Sequence, residues 1–183
     1  MQNVSWPSIE DYNDVQSKGR YQKCLDDGLT PEQALDAVHR FSRDNARTPM
    51  QWDDTANAGF TQGPTTWLPI HDDYVTHNIA TQAQDDKSVL SCFKRLAQLR
   101  SGNDVLVSGT YAEIDHDNQS VYSYLRELDG RRVLVMANFT NAPATAGNLP
   151  ACQGGEVLSC TYEDSPAWDA ELRPLEARIV ELR

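Results

Sequence analysis

Residues 42–53 read Ser-Arg-Asp-Asn-Ala-Arg-Thr-Pro-Met-Gln-Trp-Asp. Two arginines, two aspartates, an asparagine and a tryptophan share this short stretch, and Pro49 bars a regular helix through it. Guanidinium N–H groups donate to hydroxyls in a fixed fork, and an indole face stacks on the C–H face of a sugar. A polyhydroxylated ligand is therefore one chemistry these side chains fit. A structural loop is the other, with charges that pair locally and with Trp52 closing a core. Residue types alone leave both open. No metal or cofactor site is expected elsewhere. Cys24, Cys92, Cys152 and Cys160 include no CxxC, and His39, His71, His77 and His116 form no HxxxH. Cys152 and Cys160 lie close enough in sequence to meet across a hairpin, but their spacing is no disulfide signature.

The elements that must position the run can be read on either side of it. Ser8 to about Gly28 reads as a helix with Pro7 near its start. Thr30-Pro31-Glu32-Gln33 combines an N-cap, a proline at the first helical position and a capping-box glutamine. Ala34, Leu35, Val38 and Phe41 give this second helix an inner stripe, so it should run to about Ser42. Residues 43–84 read as loop, punctuated by Gly59, Gly63, Pro64 and Pro69; so long a loop points to function. Asp85 or Asp86 is expected to cap a third helix, with Val89, Phe93, Leu96 and Arg100 stacked on one side. After Gly102 the period changes to two. Strands are expected at Val105–Val107, Thr110–Ile114, Val121–Leu128, Arg132–Phe139, Glu156–Tyr162 and Glu176–Leu182, with Asp129-Gly130 as a hairpin turn. The continuously apolar Val133–Ala137 predicts a central strand covered on both faces. An antiparallel sandwich follows.

The chain has 183 residues and a formal net charge of −11. That charge argues against nucleic acid or an anionic membrane as partner. No apolar run approaches the roughly 20 residues of a spanning helix, and the N-terminus has no signal-peptide pattern. A cytoplasmic protein is the expectation.

The run SRDNARTPMQWDD, followed by Ala58-Gly59-Phe60-Thr61, closely resembles the α-glucosidase branch of glycoside hydrolase family 13. That branch includes oligo-1,6-glucosidases, dextran glucosidases and trehalose-6-phosphate hydrolases. Met1–Val4 and Ile9–Val15 resemble the segment after the eighth barrel strand. Trp67-Leu68-Pro69-Ile70, His77-Asn78-Ile79 and Gln82 resemble the loop before the last barrel helix. Ser88–Leu90 through Leu99-Arg100 resemble that helix, and Val107–Tyr111 the start of the C-terminal β domain. The resemblance implies a mixed architecture: residues 1–102 form the end of a (β/α)8 barrel, and 103–183 an all-β antiparallel sandwich. A whole barrel needs about 250 residues, so the chain reads as the C-terminal portion of a larger enzyme.

The family hydrolyses with retention, using a nucleophile and a general acid, and a third carboxylate helps to hold the sugar. These lie at the ends of barrel strands four, five and seven, which precede anything matching residue 1. The resemblance thus implies no catalytic residue in this chain, and an inactive chain on its own. It implies that Arg47 helps to bind the non-reducing glucose, closing the pocket so that only chain ends fit. Arg43 and Asp44 are second choices as substrate-binding residues, expected to hold the loop through an internal ion pair, and Gln51 and Trp52 are expected to pack. Asp53 and Asp54 read as solvated loop acids, because adjacent side chains point apart whereas a retaining pair faces across about 5–5.5 Å. The implied partner is an oligosaccharide with α-1,6 or α-1,4 links; the isolated piece is expected to self-associate. Trehalose-6-phosphate hydrolase and sucrose isomerase share this region. A non-catalytic binding module is the alternative of another class, and would expose aromatics such as Tyr111, Tyr122, Tyr124 and Tyr162 on one face. Core packing is expected for them instead.

Overall fold

The computed structural model describes residues 3–164 and 168–183. The chain folds as two compact units, Met1–Cys92 and Phe93–Arg183. In the first unit the expected opening helix is two elements. Ser8 and Asp11 form a reciprocal cap around a single 3-10 turn, Ile9–Asp11. The backbone then extends through Tyr12, and α1 (Val15–Asp26) begins afresh with Asp14 as its N-cap. The break has a packing reason. It turns the Tyr12 ring into the core, 4.8 Å from Trp6, among Val4, Val38 and Leu68.

Helix α2 (Pro31–Phe41) has the expected capping box between Thr30 and Gln33. Its inner stripe is only partly used. Ala34 and Val38 are buried, whereas Phe41 is 67% exposed beneath the Arg20 guanidinium. Segment 43–84 is mostly loop, tightened by 3-10 turns at Arg43–Ala46, Ala56–Gly59 and Asp72–Val75 and by the short α3 (Ile79–Ala83). Helix α4 (Val89–Ser101) is capped by Ser88, whose Oγ accepts the Ser91 N–H at 3.1 Å. Asp85 instead shapes the preceding turn by accepting the Lys87 N–H at 2.8 Å. The apolar stripe of α4 is present but uncovered: Val89 is 82% and Phe93 69% exposed.

In the second unit, Val105-Leu106-Val107 is not a strand. It lies in α5 (Asp104–Ser108), whose first turn is capped by Asn103. Three apolar residues cannot establish a period, and the Asn-Asp pair before them is a helix start. Gly109 then turns the chain into the sheet; a Cβ there would lie 2.5 Å from the Val105 carbonyl oxygen.

The strands are β1 (Thr110–Ile114), β2 (Val121–Leu128), β3 (Arg131–Asn138), β4 (Ala144–Thr145), β5 (Gly155–Cys160), β6 (Glu171–Leu172) and β7 (Ala177–Leu182). Five form an antiparallel sheet in the order β1-β2-β3-β7-β5, and β4 pairs with β6 in a second sheet. Asp129 and Gly130 both have positive φ, +50° and +77°, as a two-residue type I′ hairpin requires. β3 is central, and its neighbours Val133 and Leu134 are both fully buried, so both faces are covered. Leu134, Met136 and Val180 pack with Ala146 and Leu172 from the second layer. On the other face Val133 packs with Val105 and Leu106. The layers make the expected sandwich.

The tyrosines depart from the expectation of core packing. Tyr111, Tyr122 and Tyr124 cluster on one face of β1 and β2, and Tyr111 and Tyr122 are exposed. The Tyr111 and Tyr122 hydroxyls lie 2.6 Å apart, and that hydrogen bond pushes Tyr111 up to about 12. Tyr162 is elsewhere, its ring 3.9 Å from the Arg173 guanidinium.

A buried ion cluster fastens the approach to β7. Glu176 has no exposed surface. It accepts from Arg178 Nε at 2.7 Å and Nη2 at 3.1 Å, and from Arg173 Nε at 3.0 Å, Nη2 at 3.1 Å and the backbone N–H at 2.7 Å. The Cys160 thiol donates to the same carboxylate at 3.1 Å, and all four cysteines are free. Burial alone would raise the Glu176 carboxyl. The hydrogen bonds from Arg178 and Arg173 outweigh it and hold the group well below the usual carboxylate range.

Because the folded value is depressed, this carboxylate stabilises the fold above its unfolded pKa of about 4.3 and ceases to as pH falls below that. Glu176→Gln should destabilise the second unit by about 3–5 kcal/mol at pH 7. It should also flatten the loss of stability between pH 5 and pH 2. Denaturant unfolding across that range checks both; a stability–pH profile unchanged by the substitution would contradict the assignment.

Candidate active-site loop

Ser42 ends α2 and caps the next turn, its Oγ accepting the Asp44 N–H at 3.1 Å. The 3-10 turn Arg43–Ala46 sends three consecutive side chains to three places. Arg43 reaches Asp14, at 2.8 Å from Nη2 and 3.1 Å from Nε. Asp44, with no exposed surface, accepts the N–H groups of Asn13 at 2.7 Å and Asp14 at 2.9 Å through Oδ2. Asn45 accepts the Val4 N–H and donates to the His39 carbonyl, both at 3.0 Å. Arg47 closes the turn, with Nη1 3.5 Å from Asp44 Oδ1.

The internal pair expected between Arg43 and Asp44 is therefore not formed. Arg43 pairs with Asp14, and Asp44 with Arg47. The reason is geometric: neighbours on a 3-10 turn diverge, whereas residues i and i+3 eclipse. Asp14, missed by sequence reasoning, holds one side of this arrangement. It is 2% exposed, caps α1, and accepts the Ser17 hydroxyl at 2.8 Å. Its readable signal was an acid directly before a helical run. Burial by itself would raise its carboxyl. Hydrogen bonds from Arg43 and Ser17 overcome this and lower it to about 2.

The rest of the run is fastened to residues 53–80. Gln51 is buried and structural, donating to Asp73 Oδ1 at 2.9 Å and to the His77 carbonyl at 2.7 Å. The Trp52 backbone is pinned, its N–H to the Ala58 carbonyl at 2.8 Å and its carbonyl to the Ala80 N–H at 2.9 Å. Its side chain nevertheless remains half exposed instead of packing. Asp53 is more than a solvated acid: it accepts from the Thr55 backbone and hydroxyl, and so shapes the turn. Asn57, Ala58 and Gly59 all have positive φ, and a Cβ on Gly59 would lie 2.6 Å from Asp53 Oδ1. Glycine is needed there for both space and conformation. Asp54 is exposed. Among the described residues, no group of three His, Cys, Asp or Glu is placed to hold a metal.

Two family models divide the chain between them. Residues 11–109 match the α-amylase catalytic domain, and 111–173 match the maltogenic amylase C-terminal domain. The chain belongs to the α-amylase family, glycoside hydrolase family 13. An oligo-1,6-glucosidase of Parageobacillus thermoglucosidasius is 37% identical across all of this chain and 34% of its own length. The trehalose-6-phosphate hydrolase of Escherichia coli is 34% identical over 97% of this chain and 32% of its own. Among solved structures, Bacillus licheniformis trehalose-6-phosphate hydrolase superposes with a TM-score of 0.88 at 30% identity. The trehalulose synthase of Pseudomonas mesoacidophila does so with 0.86 at 38%. Each match covers the whole of this chain and 34% of the solved one. The chain thus spans about a third of the length of its relatives.

Since Asp14 is depressed to about 2, its contribution to stability is present above pH 4 and lost between about pH 4 and pH 2. Carboxyl-carbon NMR should give Asp14 a midpoint near 2, and a midpoint near 4 would contradict the buried pair. Asp14→Ala should cost about 1–2 kcal/mol through the lost cap alone, and should release the Arg43 side chain.

Proposed function

We propose that the chain is the C-terminal part of an exo-acting, retaining α-glucosidase of the oligo-1,6-glucosidase type. Such an enzyme cleaves α-1,6 or α-1,4 bonds at the non-reducing ends of short oligosaccharides. The observation that carries the reading is Arg47, anchored at a turn by a buried acid yet with a side chain still 37% exposed. A guanidinium has five donors, and one contact with Asp44 leaves others for sugar hydroxyls. Arg47 is the sugar-facing residue in this proposal; Arg43 and Asp44 serve it from behind. Curated relatives described as oligo-1,6-glucosidases, at 37%, 35% and 38% identity, support this substrate class, while the trehalulose synthase at 38% keeps a sucrose isomerase as the alternative.

The catalytic carboxylates belong to barrel strands outside this chain. Support comes from how the acids around the loop are used. Asp14 is held by Arg43, Asp44 by two backbone amides, Asp53 by Thr55, and Asp73 by Gln51. Each of these four acids is thus committed to donors of the loop's own framework. We assign residues 1–102 to the barrel and 103–183 to the appended sandwich. Phe41 at the end of α2 and the uncovered row of α4, with Val89 and Phe93, suit burial against further barrel elements, and invite association of the isolated chain. A cytoplasmic location agrees with four free cysteines and with the absence, among the described residues, of a helix able to cross a membrane.

The chain alone should not turn over an aryl α-glucoside. Activity should appear when these residues replace the matching third of the P. thermoglucosidasius enzyme. In that chimera Arg47→Ala should reduce kcat/KM on isomaltose by roughly 2–4 kcal/mol with the fold intact. Arg47→Lys should recover little, since a single ammonium lacks the fork. Near-native kcat/KM for Arg47→Ala would refute the assignment.

A further inference from the structure

We infer that Asp44 is the positioning residue that sets the Arg47 guanidinium for its ligand; this deepens, and rests on, the reading of Arg47 as sugar-facing. The two carboxylate oxygens of Asp44 have different work. Oδ2 is fixed by the N–H groups of Asn13 and Asp14 at 2.7 and 2.9 Å. That clamp immobilises the carboxylate at the start of α1. Oδ1 is buried and accepts no hydrogen bond from any described residue. It faces Arg47 Nη1 at 3.5 Å. The other arginine of the turn is committed to Asp14. A fully buried carboxylate needs a cation, so Arg47 is the counter-ion that Asp44 demands. The distance is long for a directional hydrogen bond but still within ion-pair range. Arg47 is thereby held by charge at one edge, while its remaining donors stay available.

The geometry allows the two tasks of Asp44 to be separated. In Asp44→Asn the amide oxygen can still accept both backbone N–H groups, while the amide nitrogen takes the place of Oδ1. A donor would then face the guanidinium, and Arg47 would lose its hold although the clamp survives.

The test has two arms. In the 183-residue chain, the Arg47 guanidinium resonances should show restricted rotation and slowed solvent exchange; Asp44→Asn should abolish both. In the chimera, Asp44→Asn should lower kcat/KM on isomaltose at least 30-fold, like Arg47→Ala, and the double variant should be no worse than Arg47→Ala alone. Unaltered Arg47 resonances in Asp44→Asn, or losses that multiply in the double variant, would overturn the inference. If Asp44→Asn fails to fold, Arg47→Ala decides the matter in the chain itself. The Asn13 and Asp14 amides should then exchange about tenfold faster, because the clamp has lost its counter-ion; unchanged exchange would overturn it. A free guanidinium in Asp44→Asn together with full activity of Arg47→Ala would support the positioning role and refute the sugar-facing one.

Discussion

A buried carboxylate must be supplied with donors and a counter-charge, and two such carboxylates govern the first unit. Asp14 and Asp44 lie side by side at the start of α1, and Asp44 accepts the backbone N–H of Asp14 itself. Each takes one arginine of the 43–47 turn. With both acids fixed, the arginines have little freedom to choose. The entry into α1, the exit from α2 and the direction of Arg47 are therefore one electrostatic problem with one solution. Removing either arginine leaves a buried carboxylate unpaired, which costs far more than a surface ion pair contributes.

The second unit uses the same device for a different end. Glu176 is clamped by Arg173 and Arg178. The cluster satisfies a polar group at the edge of an apolar sandwich and fixes where β7 begins. The uncovered apolar row of α4 is a different feature. Val89 and Phe93 stand exposed on the helix stripe that amphipathic helices ordinarily bury, and the proposed barrel assignment would cover them. The chain's coverage of about a third of its relatives agrees with that reading.

Local signals with a single solution were legible in the sequence. Thr30-Pro31-Glu32-Gln33 specified the start of α2, Asp129-Gly130 the hairpin, and the unbroken Val133–Ala137 the central strand. The loop run itself stood out through its wording and resemblance. What escaped depended on tertiary partners. Asp14 carried a helix-cap signal, but only the fold brings it to Arg43, 29 residues away. The eclipsing of Asp44 with Arg47 required knowing that the turn is 3-10. Val105–Val107 was too short to show a period. Tyr122 and Tyr124 shared a face as alternation dictates, yet nothing local told whether that face was covered.

In the proposed enzyme, Asp44 holds Arg47 where the last sugar of an α-glucoside chain ends. A crystal structure of the chimera with glucose bound tests this most directly. The Arg47 guanidinium should donate to a hydroxyl at the far end of the glucose while Nη1 stays within ion-pair distance of Asp44 Oδ1. A glucose seated in the pocket with Arg47 turned away from it, or with Asp44 paired to another cation, would contradict it.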